Sequence, residues 1–333
     1  METLQVVWFL LVGVLVIGYA ILDGFDLGVG FWHLFAKKKS ERSAFIESIE
    51  PFWDGNEVWL LTAGGALFAA FPPVYATVFS GLYLAMMLVL LGLIFRAVAI
   101  EFRNKVDSPG WTRAWDFAFA FGSILPSTLS GVAIGNILRG LELSAVGDYT
   151  GGFFALLNPF ALVCGLVGLS MFALHGALYI SMKLDGEVAL KARKWAEKTW
   201  YVFLLLFMVA VGYGIKSCIH GIKAIPLVLV ILALVSNAVV FALNKKAKAK
   251  PAFITSCLTI AFVMLAVASA LFPYMVPCTN NPEWGLTVFN SSSSQLTLTS
   301  MLVIALIGMP VVLGYSWFIH HVFRHKVKVE EER

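Results

Sequence analysis

Two stretches of the chain, Leu4 to Tyr19 and Val74 to Phe95, contain no charged side chain. Uninterrupted apolar runs of about 18 residues or more are what a helix needs to cross a bilayer, and a soluble domain has no use for several of them in series. Composition points the same way. Of the 333 residues 59% are hydrophobic and 13% charged, too few charges to cover two or three soluble domains of that total length. Disordered, collagen-like and secreted disulfide-scaffold classes are excluded with them. What remains is an all-α polytopic membrane protein whose function lies inside or beside the bilayer.

Apolar runs read against polar breaks predict nine transmembrane helices, at 4–33, 51–71, 73–103, 112–138, 153–182, 199–218, 223–243, 252–274 and 301–323. The first, third and fifth exceed the bilayer thickness and are expected to tilt or to project into the cytoplasm. The basic residues orient the set. Clusters after spans one, three, five and seven and in the tail hold 21 of the 24 Lys and Arg residues, while the opposite side keeps Arg139, Lys216 and Lys223. That asymmetry puts the N-terminus outside and the C-terminus in the cytoplasm, with residues 1–333 as a single integral membrane domain. The formal charge of +4 is spread over these clusters, so it speaks for orientation and not for nucleic acid. Glu2 precedes the first stretch and no small-residue cleavage site follows it, so that stretch is expected to stay as a span.

Cys164, Cys218, Cys257 and Cys278 show no metal-binding spacing and read as packing residues, with a Cys218–Cys278 disulfide disfavoured. The segment from Met275 to Ser300 has one charge, Glu283, and reads as an ordered cap on the outer surface. Asn290 opens an N-x-S triplet of the kind a serine-rich loop produces by chance, and carries no glycan in this reading.

The costly residues are acidic. Asp23 and Asp26 stand three apart near the cytoplasmic end of the first span, on one helical face. Gly18, Gly24, Gly28 and Gly30 around them allow a backbone or water to approach closely. Asp54 and Glu57 repeat the spacing at the start of the second span, where helix capping and the macrodipole alone give a reason for them. With Glu101 they make five carboxylates at one depth on three successive spans. Capping and interface anchoring compete here with proton uptake, since acidic groups crowded into a low-dielectric layer share protons. Arg96, Arg103 and Lys105 either neutralise part of that set or serve as positive-inside anchors. Of six histidines only His175 lies well inside an apolar span, so no pair of internal haem ligands is legible, and His175 reads as a hydrogen-bonded packing residue. His33, His220, His320, His321 and His325 fall near span ends, and Trp8, Trp32, Trp53, Trp111 and Trp115 are interface-belt candidates. Gly64, Gly65 and Ala66 suggest close helix packing. No metal site, phosphate loop or nucleophile triad is present in the sequence pattern.

GYAILDGFDLGVG at 18–30 and PFWDGNEVWLLTAGGALFAAFPPVY at 51–75 closely resemble subunit II of the cytochrome bd quinol oxidases. The resemblance continues through FRAVAIEFRNK at 95–105, NPF at 158–160 and SSQLTLT at 293–299, and is densest in the first third. It implies a heterodimer with a homologous subunit I, each subunit forming two four-helix bundles plus one peripheral helix. It further implies that subunit I holds a low-spin haem b, a high-spin haem b and haem d and oxidises quinol on the outer face. In some members it also implies a structural quinone in this subunit and small single-span accessory subunits. The expected location is the bacterial or archaeal cytoplasmic membrane. Carried over by motif, Asp54 is the candidate entrance of a cytoplasmic proton path, supported by Asp26, Asp23, Glu57 and Glu101. A proton-coupled secondary transporter is the alternative from another class, although these carboxylates lie toward one face and not at the midplane. A purely structural subunit whose acids cap helices is the third.

Overall fold

The computed structural model describes residues 1–217 and 224–329. Cys218, His220 and Lys223 fall outside the described residues. Among the described residues eleven α-helices follow one another: α1 (Glu2–His33), α2 (Lys39–Ile49), α3 (Trp53–Ala70), α4 (Pro72–Gly81), α5 (Tyr83–Phe102), α6 (Pro109–Arg139), α7 (Pro159–Lys183), α8 (Gly186–Ser217), α9 (Ala224–Lys245), α10 (Ala249–Leu271) and α11 (Gln295–Val322). Eight of them are long and apolar enough to cross a membrane. The helix missing from the expected nine is α3, whose 18 residues open with Trp53-Asp54-Gly55-Asn56-Glu57, a polar turn that dilutes its apolar remainder.

Local chemistry sets the boundaries. Proline at the first turn of α4, α6 and α7 supplies a helical φ where no amide partner is needed. Asn158 caps α7 by accepting from the Ala161 amide at 2.9 Å. Gly140, at φ 94, ends α6 in a conformation a side chain resists.

Three expected spans need correction. The run at 73–103 is not one helix: the chain leaves helical geometry at Leu82 (φ −99, ψ 21), between α4 and α5. The loop after α6 explains the break, because Gly147 accepts a hydrogen bond from Thr77 Oγ1 at 2.7 Å and Tyr149 packs against Gly81. The sixth expected span is α8, which starts at Gly186 instead of residue 199, so its first turns carry Lys191, Arg193 and Lys194 beyond the apolar run. Its fifth counterpart starts at Pro159, after a 3-10 turn at Phe153–Leu157.

Glycine decides how closely the helices approach. A Cβ on Gly28 would collide with the backbone of Phe172 and Gly176, so α1 and α7 touch backbone to backbone. Gly131 and Gly165 bring α6 and α7 together in the same manner. By contrast, Gly64 and Gly65 face no described residue within 4 Å, whereas Ala63, Ala66 and Ala70 on the same helix do pack within this chain.

The main core joins α1, α2, α7, α8 and α10 around Phe25, Phe45, Ile49, Leu178 and Phe203. A second core lies at the opposite end, where Trp8, Phe71, Leu82 and Leu141 meet a cap made of β1 (Tyr274–Val276), β2 (Leu286–Thr287) and the segment leading into α11. Trp8 donates to the Leu298 carbonyl at 2.9 Å, and Trp32 donates to Ala173 at 2.7 Å while stacking on Trp195. Both indoles are buried, so Trp8 and Trp32 are not belt residues. In the cap the Asn290 amide is used in a turn with Thr287 and Gly285, and Cys278 donates its thiol to Asn280.

Candidate functional site

Two buried charge clusters lie toward the same end of the helices. The first is built on the face of α1 that carries Asp23 and Asp26, both fully buried. From α5, Arg96 places Nη2 2.7 Å from Asp23 Oδ1, an ion pair without hydrogen-bond alignment, and it also pairs with Glu57 of α3. Asp26 is held differently. Asn56 donates to its Oδ2 at 2.7 Å and to the Leu22 carbonyl at 3.1 Å, fastening α3 to α1. Two carboxylates thus share one guanidinium that is itself fully buried, and Asp26 lies close enough to act on both electrostatically. Both oxygens of Asp23, Oδ1 of Asp26, and Nε and Nη1 of Arg96 find no hydrogen-bond partner among the described residues. Polar groups left so in low dielectric are expensive, and carboxylates this close do not all ionise.

The second cluster centres on Asp116 in α6. Its Oδ1 accepts from His33 Nε2 at 2.7 Å and from Arg103 Nε at 2.6 Å, and its Oδ2 accepts from Arg42 at 2.8 Å. One carboxylate here ties the ends of α1 and α5 to α2 and α6. Arg103 also donates to Ser43 at 3.0 Å. This is a saturated anion among cations, the inverse of the first cluster.

The five expected acids therefore divide. Asp23, Asp26 and Glu57 come together. Asp54 is exposed at the first turn of α3, close enough to Glu57 to act on it electrostatically. Glu101 is exposed at the end of α5 and joins neither cluster. Of the three basic candidates, Arg96 belongs to the first cluster, Arg103 to the second, and Lys105 is exposed. Asp116 was not legible as a site residue. Its signal was the basic spacing around it, Arg103 and Arg113, which leaves a lone acid in need of partners. His175 spends both ring nitrogens on this chain, at Ser256 Oγ (2.7 Å) and the Ile21 carbonyl (3.1 Å), as a packing histidine does.

The family model described as cytochrome bd terminal oxidase subunit II matches residues 4–323. The chain belongs to that family. Among subunit II relatives, cytochrome bd-I ubiquinol oxidase subunit 2 of Escherichia coli K12 is 39% identical, with 100% of this chain and 97% of the relative covered. The probable cytochrome oxidase subunit 2 of Haemophilus influenzae is 39% identical over 95% of this chain and 93% of its own length. Cytochrome bd ubiquinol oxidase subunit 2 of Bacillus subtilis is 35% identical over 99% of each. The solved bd oxidase of Geobacillus thermodenitrificans superposes with a TM-score of 0.80 at 15% identity, over 96% of this chain and 98% of that one, which shows a shared fold. As a subunit II, the chain is one component of a haem-containing terminal oxidase complex with a subunit I partner, and it is a multi-pass membrane protein.

Proposed function

We propose that the chain is the haem-free subunit of a quinol:oxygen oxidoreductase in the cytoplasmic membrane of a bacterium or archaeon. In this reading it stabilises subunit I and supplies the cytoplasmic protons consumed when oxygen is reduced to water. The observation that carries the proposal is the first cluster: Asp23, Asp26 and Arg96 fully buried, Glu57 half-buried at their edge, and Asp54 exposed one turn further out. Asp54 takes up protons at the surface. Glu57, half-buried beside Arg96, passes them inward, and Asp23 and Asp26 hold them. Glu101, exposed on α5, gathers protons at the same surface. Quinol oxidised on the outer face releases protons there, so the reaction separates charge without a pump.

The haems, low-spin b, high-spin b and d, belong to subunit I in this proposal. The buried histidines described in this chain do not fit them, since His175 is committed to Ser256 and Ile21 and His33 to Asp116. A structural quinone has a fitting site. An apolar cavity of about 220 Å³ between α6, α7, α8, α9 and α10 is lined by Gly131, Phe160, Met171, Phe207, Val230 and Val263, matching an isoprenoid chain. The proposed topology adds α3 as the ninth span, with two four-helix bundles, α11 peripheral, and the N-terminus outside. Small accessory subunits, where they occur, would pack on the lipid-facing helices.

A reduced-minus-oxidised spectrum of the tagged chain purified in mild detergent tests the oxidase reading: haem b and haem d bands with a second membrane protein support it, and a colourless chain alone overturns it. Asp54→Asn then tests the path. Oxygen consumption per haem is expected to fall with haem content unchanged, and full turnover removes Asp54 from the path.

A further inference from the structure

The segment after α11 does not trail into solvent. Residues 323–329 run back under the cytoplasmic end of the molecule and pair with the turn between α7 and α8. Val327 donates its amide to the Lys183 carbonyl at 3.0 Å in a parallel bridge with Leu184, and Lys326 Nζ pairs with Asp185 Oδ1 at 2.5 Å. Val327 and Val329 pack onto the main core. At the centre sits Lys183, 8% exposed, whose ammonium donates to the Phe323 carbonyl and lies 5.4 Å from the centre of the Phe52 ring. The same ring lies tilted against His320 at 4.6 Å and meets Phe323 edge-on at 6.2 Å.

Phe52 is the residue on which α3 begins. Its carbonyl accepts the Asn56 amide at 3.0 Å, and the Asn56 side chain holds Asp26. Asp54 lies between the two. A buried ammonium is costly unless it is matched, and here it is matched by a carbonyl of the tail and a ring at the head of α3. Along α11 itself little else fixes the helix, since only 6% of its apolar window is buried in this chain.

We infer that the segment after α11 is a clip that positions the first turn of α3, with Lys183 as its positioning residue, and so sets the geometry of the acidic entrance at Asp54. The inference rests on the proton-uptake reading of that entrance. Lys183 touches no substrate and acts through Phe52 and Asn56.

The test uses the intact oxidase complex, comparing Lys183→Met, Lys183→Arg and a chain ending at Arg324 with the unmodified protein at equal haem content. Proton supply limits turnover most at high pH. Lys183→Met and the shortened chain are therefore expected to lose about threefold in oxygen consumption at the alkaline end and little at the acid end, while Lys183→Arg restores the profile. A pH profile scaled by one constant factor, or left unchanged, overturns the clip. Asp54→Asn, measured alongside, separates the two failures: if it leaves the profile untouched the entrance reading itself is wrong, and if it alters the profile while the Lys183 variants do not, only the clip falls. Should Lys183→Met fail to assemble, Phe52→Leu removes the ring but leaves Lys183 its bond to Phe323, and the same shift is expected of it.

Discussion

The two buried charge clusters are close relatives in composition and opposites in behaviour. Around Asp116 a single carboxylate faces two arginines and a histidine, and its oxygens are fully used. Around Arg96 a single guanidinium pairs with two carboxylates beside a third, and five of their polar atoms lack a hydrogen bond among the described residues, against His33 Nδ1 and Arg103 Nη2 around Asp116. The difference matters because an arginine cannot shed its charge in a protein, whereas a carboxylate relieves crowding by binding a proton. Two arginines of fixed charge hold the Asp116 cluster together. The Arg96 cluster has carboxylates able to change their charge by exchanging protons, which the proposed proton path requires.

Removing the central group of each should break the comparison most visibly. Asp116→Leu strands Arg42, Arg103 and His33 without their anion, and is expected to cost about 3–5 kcal/mol, seen as loss of assembled complex or a sharply lower Tm in detergent. Arg96→Met leaves acids that can neutralise themselves, so a smaller penalty of about 1–3 kcal/mol is expected in the same melting experiment, together with a fall in oxygen consumption per haem. Equal losses from the two variants would mean that the acids around Arg96 stay charged. Asp26→Asn removes one of three carboxylates and keeps a side chain that Asn56 can bond. Stability within about 1 kcal/mol of the parent is expected, with turnover reduced at normal haem content; infrared difference spectra in the carboxylic-acid region should lose one band.

The smallest effect concerns Glu41, at the edge of the architectural side. Burial disfavours its charge, but the Lys191 ammonium at 2.5 Å and the amides of Lys37 and Lys38 outweigh burial and hold the carboxyl below its ordinary value. A lowered value in the folded state means the pair contributes above the unfolded carboxyl's titration, near about pH 4.3, and loses that contribution as pH falls further. Glu41→Gln should lower Tm at pH 7 by an amount that vanishes in acid, within about 1 kcal/mol because Lys191 is partly exposed. A Tm difference that persists in acid would assign the effect to packing.

Much of this was legible beforehand because the membrane restricts what apolar length and charge can mean. The spans at 4–33 and 252–274 match α1 and α10 within a few residues, and the i, i+3 spacing of Asp23 and Asp26 did put both on one buried face. Depth was legible, but not which groups meet. Asp54 and Glu101 reach the level of the acidic cluster yet face outward, a matter of helix rotation that spacing along separate helices does not report. Asp116 went unnoticed because its partners come from three other helices. The break at Leu82 and the first turns of α8 are hidden for a related reason. The first depends on a loop seventy residues away in sequence, with Thr77 bound to Gly147, and the second on charged residues that read as loop until Arg193 and Asn244 are seen exchanging hydrogen bonds.

The contact of Gly28 with Gly176 has a mechanical meaning. Where two helices meet through side chains, the layer between them can yield by changing rotamers; where backbone rests on backbone there is nothing to compress. Helices α1 and α7 are consequently expected to move together, with Asp23 and Asp26 on one member and His175 and Lys183 on the other. Any opening of the acidic cluster during turnover has to come from its remaining walls, α3 and α5, swinging against a support that does not give.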